Sequence, residues 1–408
     1  MVRTGKRAGL AVAVALMLAA GGAAAQGDVQ TKQYDDGSVY EGTFVGGLPD
    51  GKGTFRLPSG FEYTGDWVAG EIRGEGVARY PSGSVYEGAF DAGKPQGRGR
   101  ITHPDGGSYE GDWADGQMTG NGVARYGEGT VHTGAFVDGV PEGPGVMEQP
   151  GGHRFEGSWT AGVMEGAGRI SYPDGAVYEG NLVAGMRAGK GTLTMPDGVT
   201  YVGDWSDGQI NGIGRLTQPN GDVYEGALVN GELQGTGRVT YANGDSYEGG
   251  FRADRRHGQG IFRGPDGYVY EGEWLDGRIA GSGRVTYPDG SVYEGGFADD
   301  QPQGRGTITY ADGTVFEGEW LEGVIDGTGR ATYPGGQVYE GTFRNARPEG
   351  RGLMIWPDGY RYEGDWVAGQ RQGQGTATYP DGSTYTGGFV AGLRQGRGRL
   401  EQPEGFRY

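Results

Sequence analysis

The chain has 408 residues, 92 of them glycine and none cysteine, with a formal net charge of −18 and 35% hydrophobic residues. That is too little apolar material, too evenly spread, for one thick core, and the lack of cysteine excludes a disulfide framework or a lipid-bearing cysteine anchor. So acidic a chain also makes a poor partner for nucleic acid.

The first predicted element is an export signal over residues 1–25. Arg3, Lys6 and Arg7 precede an apolar run from Ala8 to Ala20, roughly 13 residues where a membrane-spanning helix needs about 20. Ala23, Ala24 and Ala25 then supply small residues before Gln26, which places cleavage between Ala25 and Gln26. This predicts a periplasmic or secreted destination. No later stretch is long and apolar enough to span a bilayer as a helix.

Residues 26–39 read as an N-terminal half-hairpin. From residue 40 to 408 a ring recurs every 23 residues: Tyr40, Tyr63, Tyr86, Tyr109, His132, Phe155, Tyr178, Tyr201, Tyr224, Tyr247, Tyr270, Tyr293, Phe316, Tyr339, Tyr362 and Tyr385. With this ring as position 0, glycine fills positions 2, 11, 13 and 20 in all sixteen repeats and position 7 in most. Glycine is therefore positional, which argues against disorder and for a repeat architecture. Positions 17 to 20 read Tyr-Pro-Asp-Gly in copies such as Tyr287 to Gly290, the chemistry of a type I turn closed by a left-handed glycine. Alternation on either side predicts strands: 15 and 17 before the turn are mostly apolar, and 0 and 4 after it are rings. The odd-length loop puts these on one face, sets the glycines at 13 and 2 opposite each other, and aims the ring at 4 towards the glycine at 11. The fold expected is all-β: an elongated, twisted, single-layer antiparallel sheet of stacked β-hairpins.

Position 4 carries a second stripe: Phe44, Trp67, Phe90, Trp113, Phe136, Trp159, Leu182, Trp205, Leu228, then Phe251, Trp274, Phe297, Trp320, Phe343, Trp366 and Phe389. Its period is 46 residues with one slip near Phe251. An acidic residue precedes most of the tryptophans, as at Asp66, Asp112 and Glu273. Packing explains such a stripe. So does an aromatic groove that grips an extended ligand, and the fourteen rings of the stripe are the candidate binding residues. Beside the slip, Asp254 replaces the usual glycine before Arg255, Arg256 and His257, which suggests a bend or a partner contact.

The consensus Tyr-Glu-Gly-x-Trp/Phe-x-x-Gly-x-x-x-Gly-x-Gly with a Pro-Asp-Gly turn, clean at Tyr86 to Phe90 and Tyr362 to Trp366, resembles the MORN repeat. The resemblance implies a stack of hairpins and no single activity, since MORN arrays occur as scaffolds, dimerisation modules and proposed lipid-binding segments.

Catalytic chemistry finds no foothold. His103, His132, His153 and His257 show no paired-ligand spacing, so neither a metal site nor a cofactor is expected. The Gly-x-Gly triplets lead into strands and are not phosphate loops. Glutamates at position 1 (Glu41, Glu87, Glu179, Glu363) read as a solvated face paired with arginines such as Arg215, Arg238, Arg284 and Arg330. The function expected is a non-enzymatic scaffold of the envelope or secreted space, self-associating or holding a protein partner through its aromatic face. A lipid-headgroup or glycan module acting through the Phe/Trp stripe is the alternative.

Overall fold

A computed structural model describes residues 27–408; the export signal and its cleavage site at Ala25 and Gln26 lie outside the described residues. Thirty-three strands and no helix are present among them. The chain divides into two units, Met1–Gln209 and Ile210–Tyr408, and each is an open antiparallel sheet laid down hairpin by hairpin.

Every repeat contributes a seven-residue strand over positions −1 to 5 and a nine-residue strand over positions 8 to 16. In the first unit Glu62–Val68 and Glu71–Arg79 are such a pair; in the second, Val292–Ala298 and Gln301–Thr309. A four-residue strand, Gln30–Gln33, precedes the first repeat and pairs with Val39 to Gly42.

The predicted turn is the one found. The Gly290 amide donates to the Tyr287 carbonyl (2.9 Å) and the Tyr287 amide to the Ser291 carbonyl (2.8 Å), with Gly290 at φ +86°. This closes a three-residue loop with a left-handed glycine. The register between repeats also matches: Gly53 faces Gly65 and Gly51 faces Trp67.

A second turn, not assigned from the sequence, joins the two strands of each repeat. Val68 pairs with Glu71 across two residues, Ala69 and Gly70, at φ +50° and +86°. Two successive left-handed residues make a type I′ turn, whose twist suits a tight hairpin. The same turn recurs with Ala92, Asp115 or Glu322 in the first place. Alanine and glutamate adopt the left-handed region less readily than glycine or asparagine, but Asp115-Gly116, Asp207-Gly208 and Asn230-Gly231 carry the Asp-Gly and Asn-Gly signal of this turn.

The glycine at position 11 has a different reason from the one expected. Within a repeat, position 2 pairs with 13 and position 4 with 9, as in Gly65 with Gly76 and Trp67 with Ile72, so three residues oppose one. This bulge needs a left-handed residue, and Gly74 sits at φ +109°. A Cβ there would meet the Asp66 side chain, on the face away from the rings. Position 11 therefore serves the backbone, not the rings. The bulge also accounts for prolines inside strands, such as Pro49 and Pro302 at position 9. In other repeats the position-9 amide points out of the ladder, as Leu233 N–H does when it donates to Asp254 (2.8 Å), so proline removes no ladder bond.

The glycines at 2 and 13 do make room for a ring. A Cβ on Gly76 would clash with the hydroxyl end of the Tyr63 ring, and one on Gly65 would strike the Tyr63 hydroxyl and the opposing backbone. The tyrosine lies flat over this pair and its hydroxyl donates to the carbonyl of position 3, Tyr63 to Asp66 at 3.0 Å and Tyr293 to Gly296 at 2.9 Å. Burial above all, with the nearby Tyr34 and Asp50, pushes the Tyr40 hydroxyl up to about 12. Such a phenol stays protonated at any working pH and remains a donor.

Candidate interaction surfaces

The position-4 stripe lies on the same face as the tyrosines. Trp67, Phe90, Trp113, Phe136, Trp159, Trp205, Phe251, Trp274, Phe297, Trp320, Phe343, Trp366 and Phe389 are buried, and Phe44 is partly so. They pack into one another. Most position-0 rings meet the position-4 ring of their own repeat and that of the next: Tyr86 lies 5.0 Å from Phe90 and 5.0 Å from Trp113, both edge-on. Tyr293 does the same with Phe297 (5.1 Å) and Trp320 (5.0 Å). Edge-to-face contact at these distances suits the ring quadrupoles. The tryptophan indole donates back across the strand, Trp113 to the Gly99 carbonyl at 3.1 Å and Trp366 to Gly352 at 3.1 Å. Where position 9 is arginine, its guanidinium covers the next repeat's ring: Arg187 lies 4.3 Å over Trp205, and Arg256 4.1 Å over Trp274.

The opposite face is polar and also engaged. Along the row of positions 1 and 14, glutamates pair in places with arginines, with Arg169–Glu179 at 3.3 Å, Arg215–Glu225 at 3.2 Å and Arg330–Glu340 at 3.0 Å. Exposed pairs of this kind contribute at most about 1 kcal/mol each. The acidic residue before tryptophan has a specific task, since its carboxylate accepts the position-12 amide freed by the bulge. Asp66 takes Glu75 N–H at 3.0 Å, Asp112 takes Asn121 N–H at 3.0 Å and Glu319 takes Thr328 N–H at 2.8 Å. The Lys52 ammonium, and after it the Glu75 amide, hold the Asp66 carboxyl below the usual range. Position 10 ties one turn to the next, as Glu142 does by accepting Ala161 N–H at 2.7 Å. Among the described residues no cluster of metal-ligating side chains forms, and no helix is long and apolar enough to cross a membrane.

The MORN repeat family description matches this sequence sixteen times, beginning at 40–61 and 63–85 and ending at 362–384 and 385–407. The chain belongs to the MORN-repeat family. No curated protein matches it. Among solved structures it is similar to the TCP domain of SAS-4 (dCPAP) from Drosophila melanogaster in complex with a proline-rich motif of Ana2, at 14% identity over 42% of this chain and 86% of that one, with a TM-score of 0.24. It is also similar to the TCP10 domain of Danio rerio CPAP with a STIL peptide, at 18% identity over 66% and 94% and a TM-score of 0.19. A streptogramin B lyase matches at 13% identity over 72% and 91%, with a TM-score of 0.12. None of these likenesses reaches a shared overall shape.

The MORN pattern is kept at Asp254. The residue sits left-handed (φ +65°) in the same two-residue turn, and its carboxylate accepts Leu233 N–H. Asp300 repeats the device with Ile279 N–H at 2.7 Å. The strand that follows, Arg255–Arg263, has the full nine residues. Glycine is replaced here because a side chain that bonds backwards offsets the strained φ.

The MORN pattern fails at repeats 5 to 7. His132 stands where tyrosine belongs, fully buried between Phe136 (5.1 Å) and Trp159 (4.9 Å). Both its ring nitrogens and the Trp159 Nε1 lack hydrogen-bond partners. Phe155 has no hydroxyl to donate, and Leu182 replaces a ring. Burial holds the His132 imidazole below its ordinary value, so it is neutral when folded, whereas the unfolded chain takes up a proton near pH 6.5. Stability from this site is full above that pH and is lost as pH falls through it. His132→Tyr regains the bond to the Ala135 carbonyl, with an expected gain of about 1–2 kcal/mol. Thermal melts at pH 7.5 and 5.5 check this. The difference between wild type and variant should widen at the lower pH, and equal differences at both would refute a neutral buried imidazole.

Proposed function

We propose that the chain is a non-catalytic structural and interaction scaffold of the cell envelope or the secreted space. The observation that carries this is the unbroken run of repeats from residue 40 to 407, whose side chains are taken up in holding hairpin to hairpin. Rings pack on rings, position-3 acids cap bulges, and position-10 side chains tie turns. That leaves the array as a surface. Export rests on the sequence pattern of residues 1–25 alone. A lipid or glycan role for the Phe/Trp stripe has less support, because its rings are closed against each other.

Cell fractionation followed by cross-linking and mass spectrometry tests the reading. The chain is expected in the envelope or medium with its N-terminus at Gln26, cross-linked to a protein partner or to itself. Recovery only from the cytoplasm with Met1 intact would remove the envelope assignment. Substrate turnover by the purified chain would remove the scaffold assignment.

A further inference from the structure

One turn of the second unit is built unlike the others. Of the eight tryptophans, seven stand in the position-4 stripe and Trp356 does not. It holds position 17, at the mouth of the turn Trp356-Pro357-Asp358-Gly359, where tyrosine is the commonest residue. The residue paired with it across the turn, at position 21, is Tyr360, and the Trp356 amide donates to the Tyr360 carbonyl at 2.8 Å. No other turn in the sequence carries a ring at both places; Tyr287 is followed there by Ser291, and Tyr379 by Ser383. The indole lies 4.8 Å from the Tyr360 ring, and Tyr360 lies 5.3 Å from Tyr379 at position 17 of the next repeat, with the planes tilted at 52° and 48°. These three rings are half-buried, whereas Tyr362 and Trp366 beside them are buried.

The polar groups bordering these rings say what they would hold. Among the described residues the Trp356 Nε1 has no hydrogen-bond partner, and it is not sealed from solvent as that of Trp159 is. The Tyr360 hydroxyl accepts Arg371 Nη1 at 2.6 Å and keeps its own hydrogen to donate. Asp358 and Asp381, exposed in the two turns, each commit one carboxylate oxygen to a backbone amide, that of Tyr360 (2.9 Å) and that of Ser383 (2.9 Å), and each has a second oxygen to accept with. A cation is disfavoured on these rings, because the Arg371 guanidinium already lies 6.0 Å from the Trp356 ring centre and 5.8 Å from that of Tyr360 and repels a second positive charge. An anion meets the two carboxylates. An acyl chain strips water from the indole N–H, the phenol and the carboxylates and returns no hydrogen bond. A proline-rich peptide stacks on rings but has few N–H groups to give the carboxylates. A neutral sugar satisfies every group: its C–H face lies against the negative ring faces, and each hydroxyl both donates and accepts.

We propose that Trp356, Tyr360 and Tyr379 form a stacking platform for a neutral glycan, with its hydroxyls held by the Trp356 indole N–H, the Tyr360 hydroxyl and the Asp358 and Asp381 carboxylates. The glycan is of the flat, equatorially linked kind, since only such a chain offers an unbroken C–H face to the rings. The site lies apart from the closed position-4 stripe. It goes beyond the scaffold reading by giving the second unit one defined ligand contact.

The test is isothermal titration calorimetry of the full chain with chitotetraose, cellotetraose and a polyproline peptide, each to about 10 mM. At least one of the two saccharides is expected to bind. Glutamine stands at position 17 in other repeats (Gln149, Gln218) and serine at position 21 (Ser291, Ser383), so Trp356→Gln and Tyr360→Ser are changes the fold accepts, and thermal melts confirm that each variant is folded. Each is expected to weaken saccharide binding about tenfold or more. Tyr310→Gln, which removes the exposed ring at position 17 of another turn, is expected to leave it unchanged. The proposal is overturned if neither saccharide binds, if Trp356→Gln binds as well as wild type, if Tyr310→Gln weakens binding as much as Trp356→Gln, or if polyproline binds more tightly than both saccharides. Any of these leaves the scaffold reading intact, because fractionation and cross-linking test that independently.

Discussion

Gly306→Ala is expected to destabilise the second unit by about 2–4 kcal/mol, although it adds a single methyl group. Gly306 holds position 13 of its repeat and pairs with Gly295 at position 2. The added Cβ would clash with the Tyr293 ring at Cε2, Cζ and the hydroxyl at once. Tyr293 is fully buried, wedged between Phe297 and Trp320 at 5.1 and 5.0 Å, so it has nowhere to move without breaking both ring contacts and its bond to Gly296. Gly306 is not in the left-handed region, so alanine could adopt its backbone angles; the whole cost is steric. That makes a double-mutant cycle decisive. In a Tyr293→Leu background, which removes most of the ring, Gly306→Ala should cost less than about 1 kcal/mol, leaving a coupling of about 1–3 kcal/mol. Urea unfolding followed by circular dichroism reads the stability of the whole array. Because repeat arrays can open locally, hydrogen exchange at Val292–Ala298 should accompany it, to show whether loss is confined to the hairpin. Equal cost in both backgrounds would mean that the glycine serves the strand backbone and not the ring.

This prediction separates glycines that look alike in the sequence. Positions 2, 11 and 13 are equally invariant, and the pattern shows where they recur but not why. At 2 and 13 the reason is on the ring side, and alternation leads to it: rings at 0 and glycines at 2 and 13 share a face once the odd-length turn fixes the register. At 11 the reason is a bulge within the repeat, and nothing in the alternation signals a place where three residues oppose one. The bulge also makes position 12 donate an amide with no strand partner. That is why Asp66, Asp112 and Glu319 precede tryptophans. Sequence reasoning saw those acids and had no bond to give them, because the donor lies nine residues on and is a backbone group. The turn-to-turn ties from position 10 were hidden for the same reason, since side chain meets backbone one repeat away. Hairpin order, the Pro-Asp-Gly turn and the inter-repeat register were legible because each rests on local chemistry repeated sixteen times.

Trp113→Ala is expected to cost about 3–5 kcal/mol, the range for truncating a large buried aromatic side chain. Trp113 is 6% exposed. It closes the gap between Tyr86 and Tyr109, at 5.0 and 5.4 Å, and donates to the Gly99 carbonyl at 3.1 Å. Alanine opens a cavity between two fully buried tyrosines whose positions are fixed by their glycine floors, so the site cannot collapse to fill it. Other repeats show what the place tolerates: Phe90 and Phe136 occupy it in the neighbouring repeats, and Leu182 and Leu228 elsewhere, all buried. Trp113→Phe should therefore cost no more than about 1.5 kcal/mol, and Trp113→Leu should fall between phenylalanine and alanine. The alternation of tryptophan and phenylalanine then has a physical content. Phe keeps the edge-to-face contacts, while Trp, except at Trp159, adds area and an indole bond and stands in repeats where an acid precedes it. If Trp113→Phe proves as costly as Trp113→Ala, the indole bond to Gly99 carries the repeat and ring packing does not. If the order is alanine, leucine, phenylalanine, the stripe is a packing ladder, and each rung is stabilised by the two tyrosines it separates.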